Sequence, residues 1–358
     1  MIRAVHQFVS SFVPRDAVSG HTVEVQRVLR DLGLESEIYV KDTRGEVRSL
    51  ARFYRSFDVR NGDSVLLYQA ATGSRIAEFL LGRPEAKIVN YHNLTPPSFF
   101  APWEPHSAVE LEVGLRQVAD LAPATALAIA DSRTNEADLA VMGYRDVEVV
   151  PVLVDLDRFE HDVDEGAAER LTAAKGGGAS WLFVGRLAPN KAQHDVVQAL
   201  AAYRSLYDPA ARLELVGTPA SDRYAHAVEA LVTLGGLEGA VGMPGSVSDG
   251  ELAAHFATAD VFVCLSEHEG FCIPLLEAMY HGVPVVAYAA GAVPETLGGA
   301  GLVLDRKDPV TVAAAVHRVV SDAALRDRLV AAGYDRLADF ALTRTKARFR
   351  AVMEAFLA

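Results

Sequence analysis

The stretch that decides the fold spans residues 266–279 and reads SEHEGFCIPLLEAM. A buried strand ends just before it, at about Leu265, and Pro274 suits the first turn of a helix because its missing N–H and fixed φ cost nothing there. The free N–H groups of such a turn bind anions. Glu269 lies in the loop and Glu277 about one turn into the helix. An anion cradle flanked by two carboxylates suits a ligand that carries phosphate and hydroxyl groups.

A second element that points to phosphate lies at the start of the same half of the chain. The strand-like run Trp181–Val184 leads into residues 185–191, which read GRLAPNK. Arg186 and Lys191 therefore follow the C-terminal end of a strand, where ligands of α/β proteins bind. Arginine can hold a diphosphate with its planar fork and lysine as a point charge.

Working outward, short apolar runs alternate with amphipathic stretches along most of the chain. Strand-like runs of the first half are Arg3–Val9, Glu37–Val40, Ser64–Tyr68, Lys87–Tyr91, Ala126–Ala130 and Val147–Val150. Those of the second half are Trp181–Val184, Arg212–Val216, Val261–Leu265, Val283–Tyr288 and Gly301–Leu304. This alternation predicts two doubly wound α/β domains with parallel sheets. Between them, residues 155–180 are polar and end in KGGGAS, which predicts a flexible connector.

Composition limits the class of protein. A chain of 358 residues is long enough for about two domains. The formal net charge of −13 disfavours a nucleic-acid partner, which needs a basic surface. Cys264 and Cys272 do not form a CxxC motif and are expected to be inert, reduced thiols of a cytoplasmic protein. The start of the chain indicates a first strand and not a signal peptide, and no apolar run reaches the ~18 residues of a membrane span.

Taken together, these motifs resemble the retaining glycosyltransferases of family 4. Glu269 and Glu277 match the family's E-x7-E signature, and Gly185-Arg186 with Lys191 matches its GR…K element. Residues 291–295 (GAVPE) match its G-x-V-P-E segment, and residues 300–303 (AGLV) match the strand that follows. The resemblance implies the GT-B fold, with two Rossmann-like doubly wound domains facing across a cleft. It also implies an acceptor-binding domain over 1–165, a donor-binding domain over 166–340 and a C-terminal helix, 341–358, that returns to the first domain.

The resemblance also implies roles for individual residues. Those expected to be catalytic are His92, Glu269, Arg186 and Lys191. Those expected to bind the donor are Gly20, Arg186, Lys191, Val247, Glu269, Gly270, Phe271, Cys272, Ile273 and Glu277. Among these, Glu277 would contact the ribose, Glu269 the hydroxyls of the transferred sugar, and the backbone around Val247 the base. Gly20 matches a glycine-rich loop before the first helix, whose usual glycine pair is incomplete here. Cys272 stands where the family often has glycine.

The implied chemistry is retaining transfer of a hexose from a nucleotide sugar to a saccharide or a polyprenyl-linked saccharide. Arg186, Lys191 and the helix start would stabilise the leaving diphosphate, so we expect neither a metal nor another cofactor. GDP-mannose is favoured over UDP-hexoses by a longer resemblance to bacterial cell-surface polysaccharide mannosyltransferases. Two alternatives stay open: an NDP-sugar 2-epimerase, and a catalytically silent protein that binds nucleotide sugars.

One segment bears on location. Lys41–Arg60 has a local charge of +3 within the acidic chain, and Phe53, Tyr54 and Phe57 interleave with its basic residues. A basic amphipathic helix with aromatic residues can lie on an anionic membrane. The segment therefore predicts either a peripheral contact with the inner membrane face or a solvated surface whose aromatic residues belong to the core.

Overall fold

The computed structural model describes residues 2–14, 16–58, 62–156 and 163–358. The chain divides into two compact units. Unit 1 comprises Met1–Ala101, Pro105–Asp155 and Asp339–Ala358, and unit 2 comprises Pro102–Glu104 and Leu156–Ala338. The first unit therefore ends about ten residues before the predicted boundary at 165/166. Residues 102–104 join unit 2 because Trp103 packs edge-on against Tyr224, with ring centroids 5.3 Å apart.

Unit 1 is built on a parallel sheet, which in the described part of the chain has 7 strands in the order β3-β2-β1-β4-β5-β6-β7. Its strands are β1 (Ala4–Phe12), β2 (Ile38–Thr43), β3 (Ala51–Phe53), β4 (Ser64–Ala70), β5 (Ala86–Tyr91), β6 (Thr125–Ala130) and β7 (Val147–Val149). Its helices are α1 (Ala17–Asp31), α2 (Arg75–Leu81), α3 (Pro97–Phe100), α4 (Pro105–Leu121), α5 (Arg133–Val141) and the C-terminal α14 (Leu342–Leu357).

Unit 2 repeats the plan with 6 described strands in the order β10-β9-β8-β11-β12-β13, again all parallel. Its strands are β8 (Ser180–Val184), β9 (Arg212–Val216), β10 (Val241–Gly245), β11 (Val261–Cys264), β12 (Val285–Tyr288) and β13 (Leu302–Leu304). Its helices are α6 (Glu165–Lys175), α7 (Gln193–Leu206), α8 (Asp222–Leu234), α9 (Asp249–Thr258), α10 (Ile273–Tyr280), α11 (Val293–Leu297), α12 (Pro309–Ser321) and α13 (Ala323–Leu337).

Each sheet has a point at which the chain reverses its direction of winding. In unit 2 the neighbours β8 and β11 continue to opposite sides of the sheet, and in unit 1 the neighbours β1 and β4 do the same. The two loops that leave such a pair of strands run in opposite directions. A crevice therefore opens between the loops, at the C-terminal ends of the strands. In unit 2 these are the loops after Val184 and after Cys264, which carry Arg186, Lys191 and Glu269.

Two local predictions are wrong. The polar stretch expected to be a flexible connector contains α6, and Gly176 ends that helix in the left-handed conformation with φ 59°. The basic stretch considered as an amphipathic helix begins in β2, and its residues 45–56 form two short 3-10 turns around the edge strand β3. Both stretches lack the strong apolar periodicity on which the assignments of the other elements rested. In the described part of the chain no helix has both the length and the apolar character needed to cross a membrane.

The C-terminal helix α14 packs on unit 1. Phe349 and Met353 are fully buried in a core cluster with Val25 and Leu29 of α1. Lys346 adds an ion pair to Glu24, with Nζ 2.5 Å from the carboxylate oxygen. The apolar face of α14 thus completes the core on that side of the sheet.

We predict that Phe349→Ala destabilises unit 1 by about 3–5 kcal/mol, because the side chain leaves a cavity in a packed core. Unfolding followed by far-UV circular dichroism will show an earlier transition. Tryptophan fluorescence will shift less, since both tryptophans, Trp103 and Trp181, belong to unit 2. Arg348→Ala on the exposed face of α14 is the control and should stay within about 0.5 kcal/mol of the parent. Equal effects of the two substitutions would contradict the packing described for α14.

Candidate active site

The crevice of unit 2 is centred on an ion pair between Lys191 and Glu269. The Nζ atom of Lys191 lies 2.7 Å from each carboxylate oxygen of Glu269. The side chain of Glu269 is 6% exposed and that of Lys191 is 22% exposed, so the pair is largely removed from water. The structure therefore brings together two of the residues that the sequence assigned to the donor site.

Backbone hydrogen bonds fix the two loops that carry this pair. Asn190 accepts from the N–H of Glu267 at 2.8 Å through its carbonyl oxygen. Its side-chain amide donates to the carbonyl of His268 at 3.3 Å. The loop after β8 and the loop after β11 are thus joined on either side of the position from which Lys191 reaches Glu269.

The GAVPE segment fixes Glu269 from the other side. The N–H of Ala292 donates to the carbonyl of Glu269 at 3.0 Å. Gly291 has φ 53°, and a Cβ placed there would lie 2.3 Å from that same carbonyl oxygen. Glycine is therefore required at 291 both for its backbone conformation and for the close approach. The residues of this motif thus hold the backbone of the loop between β11 and α10, residues 265–272, which we call the acidic loop.

The charge of Lys191 is stabilised by its partner. Burial opposes a charged ammonium group, but the attraction of Glu269 outweighs it, and the pKa of Lys191 is raised. A buried ion pair of this kind contributes little more to stability than apolar residues would in its place. Removal of one partner, however, leaves the other charge buried and uncompensated. The pair is therefore sensitive to any substitution that removes one of the two charges.

Lys307 holds the acidic loop from a third direction. Its ammonium lies 2.6 Å from Glu267 and 2.5 Å from Asp195, and 5.4 Å from the ring centroid of Tyr288. Burial lowers the pKa of Lys307, but hydrogen bonds to the two carboxylates raise it by more. Sequence reasoning missed Lys307, because no local pattern links residue 307 to the loop at 267.

The remaining predicted donor residues of unit 2 surround the pair without joining it. Arg186 is exposed, and its guanidinium has no hydrogen-bond or ion-pair partner among the residues that the structure describes. Glu277 is buried in α10, at 5% exposure. Val247 is half-buried just after β10. Of the segment that leads into α10, Phe271 and Cys272 are buried, and Gly270 and Ile273 are half-buried.

Cys272 adopts a backbone conformation that favours glycine. It has φ 70° and ψ 67° and is the N-cap of α10, so the helix begins at Ile273 with Pro274 in its first turn. Its Sγ lies 3.9 Å from the Sγ of Cys264, the last residue of β11. The hydroxyl of Ser266 lies 3.4 Å from the Cys264 sulfur. No local pattern in the sequence indicates that the two thiols meet.

In unit 1 the candidate residue His92 follows β5 and is held at both ring nitrogens. Nδ1 lies 2.8 Å from Asp131 Oδ2, and Nε2 lies 2.6 Å from Gln69 Oε1. Burial raises the pKa of Asp131, and the neighbouring His92 opposes that shift. The other oxygen of Asp131 has no hydrogen-bond partner among the described residues. Asp131 was missed at the sequence level, although it directly follows β6 as His92 follows β5.

A chain of amides fixes the proton on His92 Nε2. Gln7 donates to the carbonyl of Thr22 at 2.9 Å, so its own oxygen accepts from Gln69 at 2.8 Å. The oxygen of Gln69 must then face His92, and His92 Nε2 must donate to it. A further proton lies between Nδ1 and Asp131. The buried glutamines of β1 and β4 thus determine the protonation of a residue on β5.

His21 of α1 completes this network. The N–H of Leu153 donates to His21 Nδ1 at 3.0 Å, and the other ring nitrogen, Nε2, lies 2.7 Å from the side-chain amide nitrogen of Asn90. Burial lowers the pKa of His21 well below its ordinary value, and the adjacent His92 lowers it further. The two histidine rings meet edge to face, with centroids 4.9 Å apart.

Gly20 is not in a loop. It lies in the first turn of α1, donates its N–H to the carbonyl of Asp16 at 2.9 Å, and is exposed. A Cβ at this position would meet nothing within 4 Å. The protein itself therefore does not require glycine at 20, and the predicted contact with a diphosphate stays a prediction.

One family model matches part of the chain. Residues 170–336 match the family described as Glycosyl transferases group 1. A GDP-mannose-dependent alpha-(1-6)-phosphatidylinositol monomannoside mannosyltransferase of Mycobacterium tuberculosis is 36% identical over 196 residues, which cover 52% of this chain and 49% of the relative. A D-inositol 3-phosphate glycosyltransferase of Salinispora arenicola is 32% identical over 234 residues, which cover 61% of this chain and 52% of the relative. The chain thus spans about half the length of the curated relatives it matches.

Solved structures resemble the whole chain. The Anabaena protein HepE, crystallised with UDP-glucose, superposes with a TM-score of 0.79 at 17% identity and covers 99% of this chain and 100% of that one. Sucrose-phosphate synthase of Thermosynechococcus elongatus gives a TM-score of 0.77 at 18% identity, with 99% of each chain covered. At such identities the likeness establishes the fold. The fold is GT-B, with two Rossmann-like units, as the sequence predicted.

We predict that Lys191→Met lowers the stability of unit 2 by about 3–5 kcal/mol, since it leaves the Glu269 carboxylate buried without its counter-ion. Adding Glu269→Gln to Lys191→Met should recover most of this loss. Denaturant unfolding followed by tryptophan fluorescence, which reports on unit 2, measures the cycle. Additive effects of the two substitutions would show that the pair is not coupled.

We predict that the stability of unit 1 falls as pH drops below about 6.5, because the unfolded chain protonates His21 while the folded chain keeps it neutral. One such group gives a slope of up to about 1.4 kcal/mol per pH unit. His21→Gln should lower stability at pH 7.5 but flatten this slope, as measured by circular dichroism between pH 5 and 7.5. His226→Gln, on the exposed face of α8 in unit 2, is the control. An unchanged slope in His21→Gln would contradict the prediction.

Proposed function

We propose that this chain is a glycosyltransferase that moves a hexose from a nucleoside diphosphate sugar to a hydroxyl of a saccharide or a lipid-linked saccharide. The transfer retains the anomeric configuration and needs no metal. Unit 2 binds the donor and unit 1 the acceptor. The observation that carries the proposal is the Lys191–Glu269 pair, held by three backbone hydrogen-bonded loops at the point where β8 and β11 diverge. The family match over residues 170–336 lies on the same unit.

The charges of the crevice suit a leaving diphosphate. Lys191 already uses its ammonium on Glu269, and a lysine ammonium has three donors, so it can hold the carboxylate and a phosphate oxygen together. Arg186 has no acidic partner among the described residues and can turn its fork to the phosphate. The first turn of α10 adds N–H groups and the positive end of the helix dipole. These groups stabilise negative charge as the glycosidic bond breaks.

Carboxylates suit the hydroxyl groups of the donor. Glu269 has a fixed backbone and an oriented carboxylate, which can accept from hydroxyls of the transferred hexose. Glu277, buried one turn into α10, is the candidate for the ribose. Val247 lies beside the backbone proposed to hold the base. In unit 1, His92 with its fixed protonation is the candidate contact for the hexose.

Mannose from GDP-mannose is the first choice of donor. The Mycobacterium tuberculosis relative is described as GDP-mannose-dependent, and it is 36% identical over 52% of this chain. HepE, a similar fold at 17% identity, was crystallised with UDP-glucose instead. A thermal-shift panel of GDP, UDP, ADP and their sugars decides between these bases, because a ligand that binds the folded state raises the midpoint.

We predict that Glu269→Gln, Lys191→Ala and Arg186→Ala each lower the rate of hexose transfer by about a hundredfold to a thousandfold. The assay follows the nucleoside diphosphate released with acceptor present, and proton NMR of the product reports the anomeric configuration. Arg326→Ala, which removes a half-exposed arginine of α13, is the matched control for Arg186→Ala. EDTA should leave the rate unchanged.

Several results would overturn the proposal. If no nucleotide shifts the midpoint, the chain does not bind this class of donor. Release of UDP without any acceptor would favour the 2-epimerase. Nucleotide binding with no turnover on any acceptor would favour the silent binding protein.

We also propose that the protein works on the cytoplasmic face of a membrane and contacts it through the segment 41–58. Leu50 and Phe53 are each 52% exposed, while Tyr54 and Phe57 belong to the core. The basic side chains exposed beside them are Lys41, Arg44, Arg48, Arg52 and Arg55. Arg60, part of the same stretch, lies outside the described residues. Exposed apolar side chains ringed by arginines suit the surface of anionic lipids.

The test is co-sedimentation with phosphatidylglycerol vesicles. We predict that Arg48→Glu, Arg52→Glu and Arg55→Glu together abolish binding at low salt, since each basic residue near an anionic surface contributes about 1 kcal/mol. The control replaces three exposed arginines of unit 2, Arg223, Arg318 and Arg328, in the same way. Equal sedimentation of the two triple variants would contradict the contact.

A further inference from the structure

The donor crevice of unit 2 contains a second set of chemical groups that the proposed transfer does not use. The sulfur atoms of Cys264 and Cys272 and a carboxylate oxygen of Glu269 all lie within 4.8 Å of one another, and all three residues are buried. The two sulfurs are 3.9 Å apart. From these distances we infer that the three residues form a binding site for a thiophilic divalent cation of the Zn²⁺ class.

The spacing fits tetrahedral coordination. With Zn–S bonds of about 2.3 Å and a Zn–O bond of about 2.1 Å, tetrahedral ligands have an S···S separation of about 3.8 Å and an S···O separation of about 3.6 Å. The sulfurs already meet the first value, and the carboxylate oxygen lies at most about 1.2 Å beyond the second. The fourth position is left to water, which is the arrangement of an open zinc site.

The charges also balance. Before the cation binds, Lys191 neutralises Glu269, and burial disfavours the charged thiolate form of both cysteines. Binding of one cation releases one proton from each thiol to solvent. The two thiolates, the carboxylate, the divalent cation and the Lys191 ammonium then sum to zero. A buried cluster without net charge avoids the desolvation cost that excludes most buried ions.

A neighbouring group supports the thiolate form. The Ser266 hydroxyl, 3.4 Å from the Cys264 sulfur, donates to it once the thiol has lost its proton. Hydrogen bonds of this kind orient metal ligands and tune the metal. Ser266 is buried, at 1% exposure, so the donor is shielded from competing water.

The site also has a consequence for the proposed transfer. A cation on Glu269 takes up the carboxylate that would receive the sugar hydroxyls. The cation and the nucleotide sugar therefore compete for the crevice. This second statement rests on the proposed function, whereas cation binding itself does not.

The experiment is a titration of the full chain, freshly reduced and with two free thiols verified by thiol counting, with Co²⁺ as a spectroscopic stand-in for Zn²⁺. We expect one Co²⁺ per chain, a sulfur-to-cobalt charge-transfer band and intense tetrahedral d–d bands. Zn²⁺ should displace the cobalt and abolish these bands. Cys264→Ala and Cys272→Gly should each abolish the charge-transfer band, and Glu269→Gln should weaken binding at least tenfold.

Cys272→Gly keeps the test informative, because glycine suits the left-handed backbone at 272 and the variant should fold. Glu238→Gln, which alters an exposed carboxylate elsewhere in unit 2, is the matched control and should leave the bands unchanged. Absence of the charge-transfer band in the reduced parent, or its survival in both cysteine variants, overturns the site.

The competition is tested separately with the thermal-shift panel at saturating Zn²⁺. The shift produced by the best nucleotide sugar should shrink in the parent and persist in Cys264→Ala, which removes a ligand of the cation but none of the residues proposed to bind the donor. An undiminished shift in the parent would contradict the competition. Cation binding, which the cobalt spectra test, would be unaffected by that result. If no nucleotide gives any shift, the proposed function fails, and the cobalt titration still decides the cation site.

Discussion

The structure of unit 2 around the crevice depends on one buried ion pair, Lys191 with Glu269. Two charges at 2.7 Å, largely removed from water, tolerate no loss of a partner. The surrounding hydrogen bonds make the meeting possible: Asn190 joins the two loops, Ala292 holds the carbonyl of Glu269, and Gly291 permits the close approach. The order of the parallel strands opens the crevice, and these contacts hold its side chains in place.

Unit 1 orders its polar groups by a different device. A chain of buried amides, anchored on the backbone carbonyl of Thr22, passes through Gln7 and Gln69 to His92. Amide orientation carries direction, because each side chain donates at one end and accepts at the other. The backbone carbonyl of Thr22 therefore determines, through the two glutamines, that Nε2 of His92 carries a proton. The contacts in unit 2 hold two charged side chains together, whereas those in unit 1 determine where a proton lies on His92.

Sequence reasoning succeeded where a pattern was local. Strand runs such as Ser64–Tyr68 and Lys87–Tyr91 coincide with β4 and β5 to within a few residues, because buried parallel strands are continuous apolar runs. It failed at β3, at β10 and at α6, where weakly apolar stretches take their structure from neighbouring elements. Gly20 was misplaced for a related reason: its motif was incomplete, and the capping side chain of Asp16 starts α1 before it.

By itself, the sequence determined two doubly wound domains and the candidate residues Arg186, Lys191, Glu269 and Glu277, because strand periodicity and motif spacing are local properties. His92 became a candidate only through the resemblance to a known family. Tertiary structure alone decided which of these residues touch. It paired Lys191 with Glu269, 78 residues apart, and placed Lys307 against the same loop. It also brought Cys272 to Cys264 through a left-handed turn. Contacts between separate strands depend on sheet order and register, which no local pattern encodes.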